Sequence, residues 1–278
     1  IQRCNSMSNH KALNMFGRSG NPVIRSAAFQ ERVSANEERM SLDGAVNKTG
    51  ILLFLTFMAA AVSWNYQGPL MTLISSLGMF VAFVSGIMTF GFYFFFVGWL
   101  VNPRPHNAPR TAPLYAIGMG FFIGLISQQA ESLFPGIVIQ AVSLTFFVAA
   151  SLLLAYKTGV IKPNQNFLLM IFAATMGIIL TYLANLIYFT FTGNNFFVLT
   201  DNGTFGILVS LFVIGIAALN LVLDFDIIEQ ADEQGAPKYM EWFGAMALVG
   251  TLIWLYIEIL RLLTVSYTHL TLPTIYSV

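Results

Sequence analysis

The 278-residue chain is 56% hydrophobic and only 9% charged, with a formal net charge of zero and a mean hydropathy of +0.72. Soluble domains carry about 25% charged residues, so this composition excludes one and predicts an all-α integral membrane protein with lipid around it and no nucleic-acid partner. Cys4 is the single cysteine, and His10, His106 and His269 lie outside the apolar runs. A disulfide framework, a thiolate metal site and an imidazole-based intramembrane hydrolase are therefore not expected.

Residues 1–48 form a polar tail of mixed charge without a signal-peptide core, and loose order is expected there. The chain opens on Ile1-Gln-Arg-Cys4, which makes Met7 the expected true start. Seven apolar runs follow near 49–66, 70–101, 112–128, 137–156, 166–190, 204–223 and 242–263. A spanning helix needs about 20 residues, so residues 49–264 are expected to form seven transmembrane helices. The second run is too long for one upright helix and too short for two, which predicts a tilted or kinked span. Gly78, Ala82 and Gly86 mark a small-residue stripe on it that admits a close neighbour. Gly120-Phe-Phe-Ile-Gly124 reads as a second packing motif. The tail 265–278 is expected to be non-native, because Val265–Ile275 resembles a sequencing-library transposon adapter translated in one frame.

The cations predict orientation. Seven of the thirteen Lys and Arg lie in the N-terminal tail, the last of them Lys48. Arg104 and Arg110 follow the second span, Lys157 and Lys162 the fourth, and Lys238 the sixth, whereas the connections after spans one, three and five hold none. The positive-inside rule then places the N-terminus in the cytoplasm and, after seven spans, the C-terminus outside.

Acids at membrane depth are costly and mark candidate chemistry. Asp224 is expected to close the sixth span at its cytoplasmic end, with Asn220 one turn earlier on the same face. Either it marks the point where the helix meets water, or it belongs to a proton-sensitive cluster with Asp226, Glu229, Asp232 and Glu233. Hard oxygen ligands suit calcium, so Asp224 and Asp226 are candidate calcium ligands, although the spacing lacks an EF-hand pattern. Glu241 starts the seventh span, as a complement to the helix dipole or as the partner of Asp224 at the same depth. Glu258 lies about 28 Å along that span from Tyr239 at a 1.5 Å rise, with Arg261 at i+3. Both could reach the outer interface. Hydrolase and phosphate-loop motifs are missing, so an enzyme is not expected.

The run Leu219-Asn-Leu-Val-Leu-Asp224-Phe-Asp226-Ile-Ile-Glu229, with Ala236-Pro-Lys-Tyr-Met-Glu241-Trp242 and Thr251-Leu-Ile-Trp-Leu-Tyr-Ile-Glu258-Ile-Leu-Arg261-Leu-Leu263, resembles the bacterial branch of the Bax inhibitor-1 family. Thr111–Tyr115 and Pro135–Ala141 resemble it too. The resemblance implies a central seventh helix with six packed around it, in a bacterial cytoplasmic membrane. It implies a pH-sensitive calcium leak gated by an acidic pair, with Asp224 as the sixth-helix member. Glu258 fits the Leu-Tyr-x-acid pattern for the seventh-helix member, whereas a gap-free match from Arg261 puts Thr251 there. Arg104 and Arg110 stand as candidates for the family's neutralising arginine by loop position. Calcium and protons would be the transported or sensed ions, with no resident cofactor. Two other readings stay open: a non-conducting regulator that binds membrane proteins such as a quality-control protease, and a proton-coupled transporter of small solutes.

Overall fold

The computed structural model describes residues 38–66, 68–90, 105–194 and 204–271. Seven α-helices follow one another: α1 Leu42–Asn65, α2 Pro69–Phe90, α3 Ala108–Leu133, α4 Ile137–Lys157, α5 Gln165–Thr192, α6 Thr204–Glu233 and α7 Met240–Thr271. The shortest, α4, has 21 residues, or about 31 Å at 1.5 Å per residue. All seven are long and apolar enough to cross a bilayer, so the chain is a multi-pass membrane protein. The second apolar run forms α2 as far as Phe90, and its remainder lies outside the described residues.

Several helices outrun their apolar stretches. Helix α1 begins at Leu42, where the Ser41 side chain accepts the Gly44 N–H at 3.0 Å and Asp43 occupies the first turn. Helix α6 continues through Asp224 to Glu233, about 13 Å further at 1.5 Å per residue. Asp224 therefore does not close its helix, contrary to the expectation from hydropathy. Gln and Glu propagate a helix well, and hydropathy registers only the part that dwells in hydrocarbon. Helix α7 remains helical through Thr271.

Helix α7 is central: 67% of its apolar window is buried, against 17% for α4 and for α5. It packs against α1, α3, α4 and α6. Its Trp254 joins a cluster built from Leu168, Ile171 and Ile178 of α5 with Val213, Ile216 and Leu223 of α6. Helix α2 packs on α3.

Glycines set the closest approaches. A Cβ on Gly124 would lie 2.8 Å from the Ala60 Cα, and one on Gly120 would lie 2.7 Å from the Ala59 Cβ, so α1 rides on the backbone of α3. Gly78 of α2 meets Gly118 on another part of α3, whereas Gly86 has no described neighbour within 4 Å. Hydroxyls bind the α1–α3 seam: Thr56 donates to the Ala116 carbonyl at 3.2 Å and Ser63 to the Phe121 carbonyl at 2.8 Å. Gly124→Val should overpack this seam and cost about 1–3 kcal/mol. Gly215→Ala, which meets open space, should stabilise by up to about 1 kcal/mol through lost backbone entropy. Thermal unfolding of the purified protein in detergent checks both signs.

Candidate functional site

The turn between α6 and α7 sets the register of the hairpin. Gly235 takes a φ of 66°, a conformation that glycine adopts without strain, and Ile228 packs against Gly244 across the pair. The register then brings Asp224 of α6 level with Thr251 of α7, whose hydroxyl lies at the Asp224 carboxyl. The Thr251 hydroxyl also donates to the Ala247 carbonyl at 3.2 Å. Asp224 Oδ2 is buried and accepts no hydrogen bond. Among the described residues the ion pairs all lie elsewhere. One turn earlier, the Asn220 amide donates to Thr175 Oγ1 at 2.7 Å and to the Ile216 carbonyl at 2.9 Å, which ties α6 to α5 beside the site.

Neither predicted acidic partner reaches Asp224. Glu241 is 2% exposed and pairs with Lys48 Nζ of α1 at 2.7 Å. It also accepts the Ser41 backbone N–H at 3.1 Å and the Ser41 hydroxyl at 3.2 Å. Ten residues separate Glu241 from Thr251, about 15 Å at 1.5 Å per residue. The mismatch arises because α6 extends past Asp224, which sinks Asp224 deeper than Glu241. Glu258 lies seven residues beyond Thr251, about 10 Å further along α7. There it is 3% exposed and faces α5, not the interface: it accepts from Tyr182 at 2.6 Å and from Trp254 Nε1 at 3.2 Å. Arg261 Nη1 lies 3.8 Å from Glu258 Oε2 and donates to the Tyr182 oxygen at 3.2 Å.

Asp224 and Asp226 do not form a joint cation site. Residues two apart on a helix project to different sides, and Asp226 lies beside Tyr156 of α4 and accepts from Gln230 at 2.6 Å. Tyr156 itself donates to Glu229. Among the described residues no three carboxylate, imidazole or thiol groups are placed to hold a metal ion. Arg110 is exposed in the first turn of α3, where it lines a cleft against Phe80 and Val84 of α2. It does not flank Asp224. Arg104 lies outside the described residues.

The contact that sequence reasoning missed is the strap formed by Glu38–Ser41 on the α6–α7 turn. Met40 N–H donates to the Ala236 carbonyl at 2.8 Å and Lys238 N–H to the Glu38 carbonyl at 3.0 Å. Lys238 also pairs with Glu38 through side chains, and that carboxylate holds the ammonium above the usual lysine range. The cap at Ser41 was a readable signal for an early start of α1; it places Lys48 inside the helix, two turns on. Lys48 additionally lies 5.9 Å from the centre of the Trp242 ring.

Breaking a buried ion pair costs about 3–5 kcal/mol. Lys48 is about one-fifth exposed, so water screens part of that loss. Lys48→Met should therefore destabilise by about 2 kcal/mol, since it leaves Glu241 buried without its cation. A double-mutant cycle with Glu241→Gln, read by thermal unfolding, should return a coupling of about 1–2 kcal/mol. Additive effects would show that the pair does not hold α1 to α7.

Comparison with curated proteins and with solved structures finds no match. The family model described as Bax inhibitor 1 like matches residues 21–267. That span covers all seven helices almost to the end of α7, and the chain belongs to the Bax inhibitor 1 like family.

Proposed function

We propose that this protein is a proton-regulated leak pathway for calcium across a bacterial cytoplasmic membrane, with Asp224 as its gating group and the α6–α7 turn on the cytoplasmic side. One observation carries the reading: a carboxyl group with a buried oxygen that accepts no hydrogen bond sits against the central helix, on a helix long and apolar enough to cross a bilayer. A buried carboxylate without a counter-charge is unfavourable. When protonated, Asp224 can donate a hydrogen bond across the α6–α7 contact and hold the helices together. When ionised, it is stabilised by water or by a cation, and either requires α6 and α7 to part. Flux should accordingly rise with pH on the cytoplasmic side.

Thr251 stands where a second acid would make a proton-sharing pair. In this chain the gate would answer to one proton. Flux that follows one proton changes by at most about tenfold per pH unit. Calcium flux into proteoliposomes across the acidic-to-neutral range tests this. Asp224→Asn should lose most of the pH response, whereas Thr251→Asp should make it steeper by coupling a second proton. An unaltered response in Asp224→Asn removes Asp224 from the mechanism.

The strap favours a second reading, a non-conducting regulator that binds another membrane protein. Glu38–Ser41 lies on the α6–α7 turn, which makes that surface the one a partner would meet. Absence of flux from purified protein, with a membrane-protein partner captured only when residues 1–37 are present, supports this alternative over the leak pathway.

A further inference from the structure

A cavity of about 390 Å³ lies between α1, α3, α4 and α7, in the half of the bundle away from the α6–α7 turn. Its walls include Leu53, Ile123, Val142, Leu252 and Ile253. The hydroxyl groups around it are engaged in internal bonds. Thr56 donates to the Leu52 and Ala116 carbonyls, Thr145 to the Ala141 carbonyl, and Ser127 and Tyr256 hydrogen-bond one another at 2.6 Å. Asn65, at the end of α1, donates to the Ala61 carbonyl at 2.7 Å. A water held here would find few of the two to four partners it needs, and an ion would find no ligand set.

The space is continuous with the lipid-facing surface. Helices α1 and α4 are not packed along their length. Phe57 and Phe146 stack across the gap with ring centroids 6.3 Å apart, and both are nearly half exposed. Left unfilled, a space of this size would forfeit dispersion contacts on every wall. Dry apolar cavities well below this size already take up apolar ligands. At this depth the surrounding solvent is hydrocarbon.

We propose that this cavity is a binding site for one acyl chain of a membrane phospholipid, which enters between α1 and α4 past the Phe57–Phe146 pair. The chain occupies a flank of α7 apart from the Asp224 contact, because Ile253 and Thr251 project to different sides of the helix. The headgroup then lies near Trp64 and Asn65, at the end of α1.

The full chain, purified in mild detergent, can be weighed intact by mass spectrometry. Wild-type protein should keep one tightly held phospholipid. Val142→Trp, which fills the cavity from α4, should lose it. Phe146→Ala, which removes half of the aromatic stack, should keep its helical circular dichroism and release the lipid sooner as detergent is raised. The Phe146→Ala result decides the matter if Val142→Trp does not fold. The proposal is overturned if folded Val142→Trp keeps the same phospholipid or if wild-type protein carries only detergent or free fatty acid. It is also overturned if Phe57→Cys cross-links two copies in lipid bilayers, since a second chain would then cover the opening.

Discussion

A carboxyl group that faces hydrocarbon has nothing to bond with, whereas one that faces a neighbouring helix can meet a donor. The enclosure of α7 decides which case holds along this chain. With two thirds of its apolar window buried, α7 is shielded from lipid on most sides. That shielding lets it carry Glu241 and Glu258 at 2% and 3% exposure, each with donors at hand. It also supplies the surface against which α6 presents Asp224. The close packing that makes the enclosure possible rests on Gly120 and Gly124, which bring α3 against α1.

The three carboxyl sites along α7 differ in how their charge is met, and the differences suggest different roles. Glu241 has a cation, a hydroxyl and a backbone N–H, so it is a structural tie between α1 and α7. Glu258 has a phenol, an indole N–H and a more distant guanidinium, which fastens α5 to the central helix. Glu258 Oε2 and Asp224 Oδ2 both lack a hydrogen bond. Glu258 has Arg261 at 3.8 Å, whereas Asp224 has a threonine hydroxyl beside it and no ion pair among the described residues. A polar group left unsatisfied in a packed interior is a reservoir of free energy that protonation or separation can release. This contrast, more than burial alone, singles out Asp224.

Much of the fold was legible because the membrane imposes it. Seven apolar runs become seven helices, since a spanning segment must satisfy its own backbone hydrogen bonds. The motif around Asp224 and Glu258 was specific enough to place the chain in its family. What could not be read was pairing. Hydropathy ends the sixth span near Leu223, which put Asp224 at the surface and made Glu241 its natural partner. The helix instead continues to Glu233, and each extra residue slides the hairpin register by one rise. Lys48, assigned to the polar tail, proved to lie in α1 and to claim Glu241.

The sequence by itself determined the solvent, the helix count and the residues at which polar chemistry meets the membrane. Composition and run length are local properties, and a bilayer acts on them segment by segment. Only the tertiary structure decided that Asp224 faces Thr251, that Asp226 turns toward Tyr156, and that Glu258 is held by Tyr182. Those choices depend on where the α6–α7 turn falls and on which helices the glycines allow to touch. Neither is written in any one segment, because contact between helices is a property of two surfaces at once.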